Sequence, residues 1–387
     1  MSVQPVYLDF AATTPTDPRV VEAMLSCLGP DGAYANAASI HIAGRNSAAL
    51  VNAGRHSLAA LLGTDARQLV WTSGATEANN LAIRGAALAR ANRGRHLITM
   101  PTEHKAVTDT FKALAKEGFE VTWLRPDANG VLSGDDLSAA IRPDTQLVSV
   151  MHVNNETGVI QDIQAIGALC RERDVLFHCD AAQSVGKLPV RLDELPVDLL
   201  SLTAHKFYGP QGIGALFVSA RPHCNIFPLM FGGGQERGLR PGTLPVHLIV
   251  GAGAAAAHAA AEMDGNLQHV ATLRERLWGG ISSLPGLARN GPSCGGYPGI
   301  LNVSADGVEG ESLMLGLEPV CVASGSACNS LSGEPSYVLR SLGRSDREAQ
   351  SAVRFSFGRT TTEAEVDIAI DRYRLAIERL RAIAPAS

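Results

Sequence analysis

Lys206 ends the tripeptide Ala204-His205-Lys206, directly after the apolar run Val197-Asp198-Leu199-Leu200-Ser201-Leu202-Thr203. That run reads as a buried parallel strand, and a lysine at its C-terminal end stands where open α/β sheets place their ligands. A lysine amine loses its proton readily when buried, which suits it to Schiff-base chemistry with a carbonyl. Gly209-Pro210-Gln211-Gly212 then breaks the chain before a second apolar run begins at Ile213. Taken alone, a His-Lys pair is more often a surface lysine behind a strand, so its meaning depends on what ends the other strands.

Those ends carry further chemistry. Ser73-Gly74-Ala75-Thr76-Glu77 lies between a short strand and a long helix, where exposed N–H groups and the Thr76 hydroxyl could receive an anion; an ordinary N-cap reads equally well. Asp180, in His178-Cys179-Asp180-Ala181-Ala182-Gln183-Ser184, is an acid just past a buried strand. Such an acid is costly unless it meets a positive or protonated partner, and a pyridinium nitrogen is one. Alone it is equally a helix N-cap. Thr102-Glu103-His104-Lys105 and His152-Val153-Asn154-Asn155-Glu156 end two more strands. A different motif, Ser324-Gly325-Ser326-Ala327-Cys328-Asn329-Ser330, surrounds one cysteine with small polar residues, the setting of an accessible and reactive thiolate rather than a core cysteine.

The elements that must position these residues alternate. Strands are expected over 69–71, 96–100, 120–124, 146–153, 175–179, 199–203 and 213–219, with helices over 76–91, 106–117 and 162–173 between them and an earlier one over 44–62. This alternation implies an α/β fold with a mostly parallel sheet covered on both faces. Gly251 to Ala261 reads as a short buried helix, and a new helix is expected over 265–283. Short strands follow, then a final helix opened by the capping box Thr362-x-x-Glu365. The division expected is a large domain over 16–260 and a small one joining 1–15 with 261–387, the latter carrying the cysteine loop at about 324–336.

Composition narrows the function classes. Across 387 residues, 45% are hydrophobic and 18% charged, the balance of a soluble globular protein. A net charge of −5 and only 5% aromatics argue against nucleic acid or an anionic membrane as a direct partner. The seven cysteines show no zinc spacing, so no metal site is expected, and an odd, scattered set without an export signal points to the cytoplasm.

Together the motifs resemble the NifS/IscS-type cysteine desulfurases, pyridoxal-phosphate enzymes of the aminotransferase fold type. The likeness runs from Tyr7-Leu8-Asp9 and Ala12-Thr13-Thr14-Pro15 through the strand-end motifs above. It continues in Arg237-Gly238-Leu239-Arg240-Pro241-Gly242-Thr243, Glu334-Pro335-Ser336-Tyr337 and Val353-Arg354-Phe355-Ser356. It implies a fold type I transferase with a mixed, mostly parallel seven-stranded sheet and a smaller α+β domain. By the same resemblance Lys206 carries pyridoxal 5′-phosphate, Asp180 pairs with its ring nitrogen, Gln183 and Asn155 flank its phenolic oxygen, and His104 stacks on the ring. Ala75, Thr76, Thr203 and His205 would hold the phosphate, with Thr243 given by a second subunit. Asn36 and Arg354 would bind the substrate carboxylate, and Cys328 would take sulfur from L-cysteine. The implied partners are L-cysteine, a sulfur acceptor protein and a second copy of the chain.

The sequence departs from the family pattern in three places. Asn36-Ala37-Ala38-Ser39 has alanine where proline is usual, Thr203 stands where serine is common, and the chain ends at Ser387, short of the longer tail that helps dock an iron–sulfur scaffold protein. A related pyridoxal-phosphate lyase acting on selenocysteine or cystine, or a class V aminotransferase, is the neighbouring alternative. Lys206, Asp180 and His104 weigh against a non-catalytic interaction protein.

Overall fold

The computed structural model describes residues 5–324 and 334–383. Seven strands form the main sheet: β1 (Leu69–Thr72), β2 (His96–Thr99), β3 (Glu120–Trp123), β4 (Thr145–Ser149), β5 (Leu176–Asp180), β6 (Leu199–Thr203) and β7 (Gly214–Val218). Their spatial order is β1-β7-β6-β5-β4-β2-β3, and only β7 runs antiparallel to its neighbours. The other six therefore end on one edge. Except in β3 and at Val218 the strand residues are buried, as a sheet covered on both faces requires.

Helices α1 (Ile42–Leu62), α2 (Ala75–Ala89), α3 (Lys105–Lys116) and α4 (Ile163–Glu172) lie within a residue or two of the spans expected. β4 stops earlier than the alternation suggests. The Val150 and His152 N–H groups still donate to the His178 and Asp180 carbonyls, and the chain then turns at Asn154, whose Oδ1 accepts from the N–H groups of Glu156 and Thr157, both at 2.9 Å.

The two helices expected around residues 251–283 are one, α5 (Val246–Ile281). Gly265 does not break it, because a single helical glycine costs only about 1 kcal/mol and the helix is packed in a core on either side of it. Its N-terminal half packs in the core of the main sheet, through Ile249, Ala252, Ala255 and Ala256; its C-terminal half packs in a second core, through Val270, Leu273, Leu277 and Ile281. By length and composition α5 could cross a membrane. Its apolar face is instead applied to these two cores.

The second core lies against an antiparallel sheet of β8 (Leu287–Asn290), β9 (Ile300–Ala305), β10 (Ala323–Ser324) and β11 (Val353–Ser356), in the order β10-β11-β9-β8. The last helix, α6 (Glu363–Ile383), starts with the expected capping box: the Glu365 N–H donates to Thr362 Oγ1 at 3.3 Å and the Thr362 N–H to Glu365 Oε2 at 2.7 Å. Val6–Tyr7 pairs in parallel with Val320–Cys321, which leads the N-terminal segment across to the main sheet's ligand edge.

Where α5 crosses α1 the backbones nearly touch: a Cβ on Gly253 would lie 2.5 Å from the Gly54 Cα. Gly265, by contrast, faces open space. Gly253→Val should therefore lower unfolding stability by about 1–3 kcal/mol through overpacking, while Gly265→Ala should raise it by up to about 1 kcal/mol. Urea midpoints of the two variants check both signs.

Candidate active site

The C-terminal ends of the strands and the N-terminal segment enclose a cavity of about 570 Å³. Its lining includes Ala75 and Thr76 after β1, His104 after β2, Asn155 after β4, Asp180 and Gln183 from β5 and its turn, Thr203, His205 and Lys206 from β6, and Arg354 from β11. Residues far apart in the chain are thus brought to one chamber.

Lys206 closes a short turn, Ala204–Lys206, and its Nζ donates to the carbonyls of Ala11 at 2.5 Å and Ala12 at 2.7 Å. The N-terminal segment grips the same turn a second time, since Thr14 donates to the His205 carbonyl through both N–H (3.0 Å) and Oγ1 (2.9 Å). Burial, helped by Lys206 and Lys187, drops the His205 imidazole to about 4, so it is neutral at neutral pH.

Asp180 is buried, and its carboxylate is fixed from two sides. Asn79 Nδ2 donates to Oδ2 at 2.7 Å, and the Ala182 N–H donates to Oδ1 at 2.9 Å. Asn79 had no role in the sequence reading; its signal was a polar residue on the buried face of α2, between Ala78 and Leu81. Behind Asp180, the fully buried Glu103 accepts from the Met151 N–H at 2.9 Å, and burial pushes its carboxyl well above the ordinary range.

Helix α2 begins at Gly74, which offers no side chain to cap its first N–H groups. Glu77 in its first turn is tied to Arg240 at 2.8 Å and to the Ser73 N–H at 2.7 Å. Burial raises its carboxyl, but these partners outweigh that and hold it below the usual value. An uncapped helix terminus beside Thr76, Thr203 and His205 is a built receptor for a phosphate. With Lys206 and a buried carboxylate lining the same cavity, the residues present fit pyridoxal phosphate.

His104 caps α3, its Nδ1 accepting from the Ala106 N–H at 3.1 Å, which leaves Nε2 as the N–H of the neutral ring. Arg354, 2% exposed, donates to Asp9 Oδ1 at 2.7 Å and to the Asn155 carbonyl at 2.9 Å. Its buried Nε has no hydrogen-bond partner among the described residues.

Two of the expected site residues are not brought in. Asn36 and Thr243 are exposed and do not line the cavity, and Asn36 Oδ1 accepts from the Ala38 N–H at 2.9 Å. Cys328 lies outside the described residues. The chain following that stretch is anchored at the chamber: Ser336 donates to Glu156 Oε2 at 2.5 Å, and the Tyr337 hydroxyl to the Glu103 carbonyl at 2.9 Å. His178 is structural. It bridges Ser149 (2.8 Å) and Ser201 (3.0 Å) across three strands, and burial lowers its pKa to about 3.

Comparison with known proteins agrees with this geometry. The family model for class-V aminotransferases matches residues 6–368. The chain belongs to that family. It is 53% identical over 382 residues to a protein named cysteine desulfurase IscS from Pectobacterium atrosepticum, covering 98% of this chain and 95% of the relative. A protein of the same name from Photorhabdus laumondii is 54% identical over the same span. Among solved structures, a NifS-like protein aligns with a TM-score of 0.90 at 35% identity, covering 97% of this chain and all of that one. SspA in complex with cysteine aligns with a TM-score of 0.81 at 37% identity over 92% of this chain and 99% of that one. The class-V assignment carries pyridoxal-phosphate dependence with it, which the receptor described above suits.

Burial lifts the Glu156 carboxyl to about 7, although Ser336, Arg354 and His104 pull the other way. A carboxyl with a raised folded pKa binds more protons folded than unfolded, so its stabilisation is full below about 4.5 and is lost as pH rises through about 7. Glu156→Gln should flatten the pH dependence of stability between those limits and gain roughly 3 kcal/mol at most at pH 8. Urea unfolding across that window measures it.

Proposed function

We propose that this chain is a pyridoxal-phosphate-dependent cysteine desulfurase, which converts L-cysteine to L-alanine and passes the sulfur through Cys328 to an acceptor protein. The observation that carries the reading is the meeting of Lys206, Asp180, His104 and Arg354 in one chamber. The cofactor supplies an electron sink for a carbanion at the substrate Cα.

The protein's residues do the rest. Lys206 would hold the cofactor and, once its amine is free, would take the substrate's α-proton. Asp180, fixed by Asn79 and the Ala182 N–H, keeps the ring nitrogen protonated. Ala75, Thr76, Thr203 and His205 bind the phosphate. Gln183 and Asn155 would hold the phenolic oxygen, and His104 would contact the ring and relay protons. Arg354, with Asn36, receives the substrate carboxylate. The Cys328 thiolate attacks the substrate sulfur, the C–S bond breaks, and Cys328 is left as a persulfide while the three-carbon fragment is protonated and leaves as alanine. The destination of that sulfur, whether iron–sulfur cluster assembly, tRNA thiolation or DNA phosphorothioation, is set by the acceptor.

A homodimer completes the site in this reading. Exposed apolar side chains flank both residues that the single chain leaves outside the cavity: Tyr34 and Ile40 (70% and 89% exposed) around Asn36, and Phe231 (87%) upstream of Thr243. In this reading a second copy covers these side chains and brings its Thr243 to a phosphate. We further propose the two-domain division at about residue 260, with α5 shared between the halves, and a cytoplasmic location.

Lys206→Ala should lose the covalently bound yellow cofactor. Cys328→Ala should keep it yet lose alanine and sulfide production from cysteine by at least about 100-fold, as expected when the nucleophile of a reaction is removed. Unchanged production by Cys328→Ala would refute the persulfide route. Light scattering should give twice the chain mass of 40.6 kDa; a monomer that binds the cofactor fully would refute the role of Thr243.

A further inference from the structure

Lys187 belongs to no motif used so far, yet it stands behind the cofactor chamber. Its Nζ donates to Gln183 Oε1 at 2.8 Å; Gln183 Nε2 in turn donates to the Ala11 carbonyl at 2.8 Å, the same oxygen that accepts from Lys206 Nζ at 2.5 Å. The turn bearing Lys187 is pressed onto the Lys206 segment. Gly186 has φ +75°, and a Cβ there would lie 2.6 Å from the Phe207 Cβ. The Tyr297 ring lies 5.6 Å from the Lys187 amine.

A side-chain amide can normally turn over and exchange donor for acceptor. Here a flip would set the Gln183 NH₂ against the Lys187 amine and its oxygen against the Ala11 carbonyl, two repulsive pairs for two hydrogen bonds. With Oε1 occupied by Lys187 and one N–H by Ala11, the group left for a ligand in the cavity is the second N–H.

We propose that Lys187 is a positioning residue: it locks the Gln183 amide so that the side chain offers the chamber a donor and not an acceptor. This rests on the reading of Lys206 and Gln183 as cofactor-holding residues. A donor at the phenolic oxygen draws charge from it and weakens the hold of the adjoining Lys206 nitrogen on its proton; an acceptor does the reverse. The charged and titratable groups near Lys187 are Lys206, Arg354 and His205, with Tyr208, Tyr297 and Arg359 lining a small cavity shared with both lysines. Burial first, then Lys206 and Arg354, push the Lys187 amine well below the ordinary lysine range. The amine donates N–H to Gln183 in either protonation state; as an ammonium it opposes the flip together with the Ala11 carbonyl, and as a neutral amine it leaves that opposition to the carbonyl.

The test is the pH titration of the bound cofactor's visible absorbance in the holoenzyme, for wild type, Lys187→Met, Lys187→Arg, Gln183→Leu and the Lys187→Met/Gln183→Leu double variant. Lys187→Met should move the midpoint up by about one pH unit, the size expected for one lost hydrogen bond to a charged group. Lys187→Arg, which keeps a donor, should stay within a few tenths of wild type. In the Gln183→Leu background Lys187→Met should add no shift, because the path through the amide is already cut. An unmoved midpoint in Lys187→Met overturns the proposal. So does an equal shift in both backgrounds, which makes Lys187 a bare charge. Should Lys187→Met fail to fold, judged by its thermal melt, Lys187→Leu carries the same comparison. Failure of the cofactor reading looks different: the wild type would then lack a visible band that Lys206→Ala abolishes, and both proposals would fall together.

Discussion

The Lys206 ammonium is held by two backbone carbonyls from the opposite end of the sequence, those of Ala11 and Ala12. A partly buried charge without such partners would cost several kcal/mol, so the chamber exists only while residues 11–14 lie against the β6 turn. That placement has its own supports. Val6–Tyr7 pairs with Val320–Cys321, Asp17 is bonded by Arg19 and Arg359, and Arg359 stacks on Tyr208 two residues after the lysine. The second core and the N-terminal segment thus bear directly on one amine of the main sheet. The long helix α5 ties the two cores into the same framework.

Around that amine the cavity is electrically divided. Asp180 occupies one side, with the Asn79 amide and the backbone as its donors and Glu103 behind it, its carboxyl pushed well above the ordinary range by burial. Lys206 and Arg354 also line the cavity, close enough to help burial push the Lys187 amine behind them well below the ordinary lysine range, and His205 is kept neutral. Such an arrangement suits a ligand carrying a protonated ring nitrogen toward the acid and anionic oxygens toward the cations. It suits a neutral, apolar ligand poorly. The fold achieves it with little strain because six parallel strands deliver their last residues to one edge, so opposite charges arrive on different strands.

What could be read from the sequence was whatever depends on local order. The strands, the helices between them and the Thr362–Glu365 cap were legible because periodicity and i to i+3 hydrogen bonds are local properties. The residues at strand ends were legible because position in a parallel strand fixes which edge a side chain reaches. The partners of those residues were not. Asn79 reaches Asp180 from a helix 101 positions away in sequence, and nothing in Ala78-Asn79-Asn80 tells which asparagine turns inward. Nothing local in Gly186-Lys187-Leu188 marks the lysine as buried; the approach of Phe207 to Gly186 shows that the turn faces inward. The continuity of α5 was misread for the opposite reason, a local rule applied too strongly, because a solvent-facing glycine weakens a helix without ending it.

Arg354 shows how the remaining binding energy is organised. Its guanidinium is nearly inaccessible to water, and Asp9 and the Asn155 carbonyl satisfy both terminal nitrogens, which offsets the cost of burying the cation before any ligand arrives. The side chain is thereby fixed in place, so a carboxylate meeting it need not order a long flexible chain, an entropy that otherwise opposes binding. Asp9 is also a competitor, since one carboxylate already neutralises the charge. The arginine therefore contributes direction more than raw affinity. In the proposed reading a substrate carboxylate must meet the guanidinium with the Asp9 pair intact, and a ligand that has to displace Asp9 would bind more weakly.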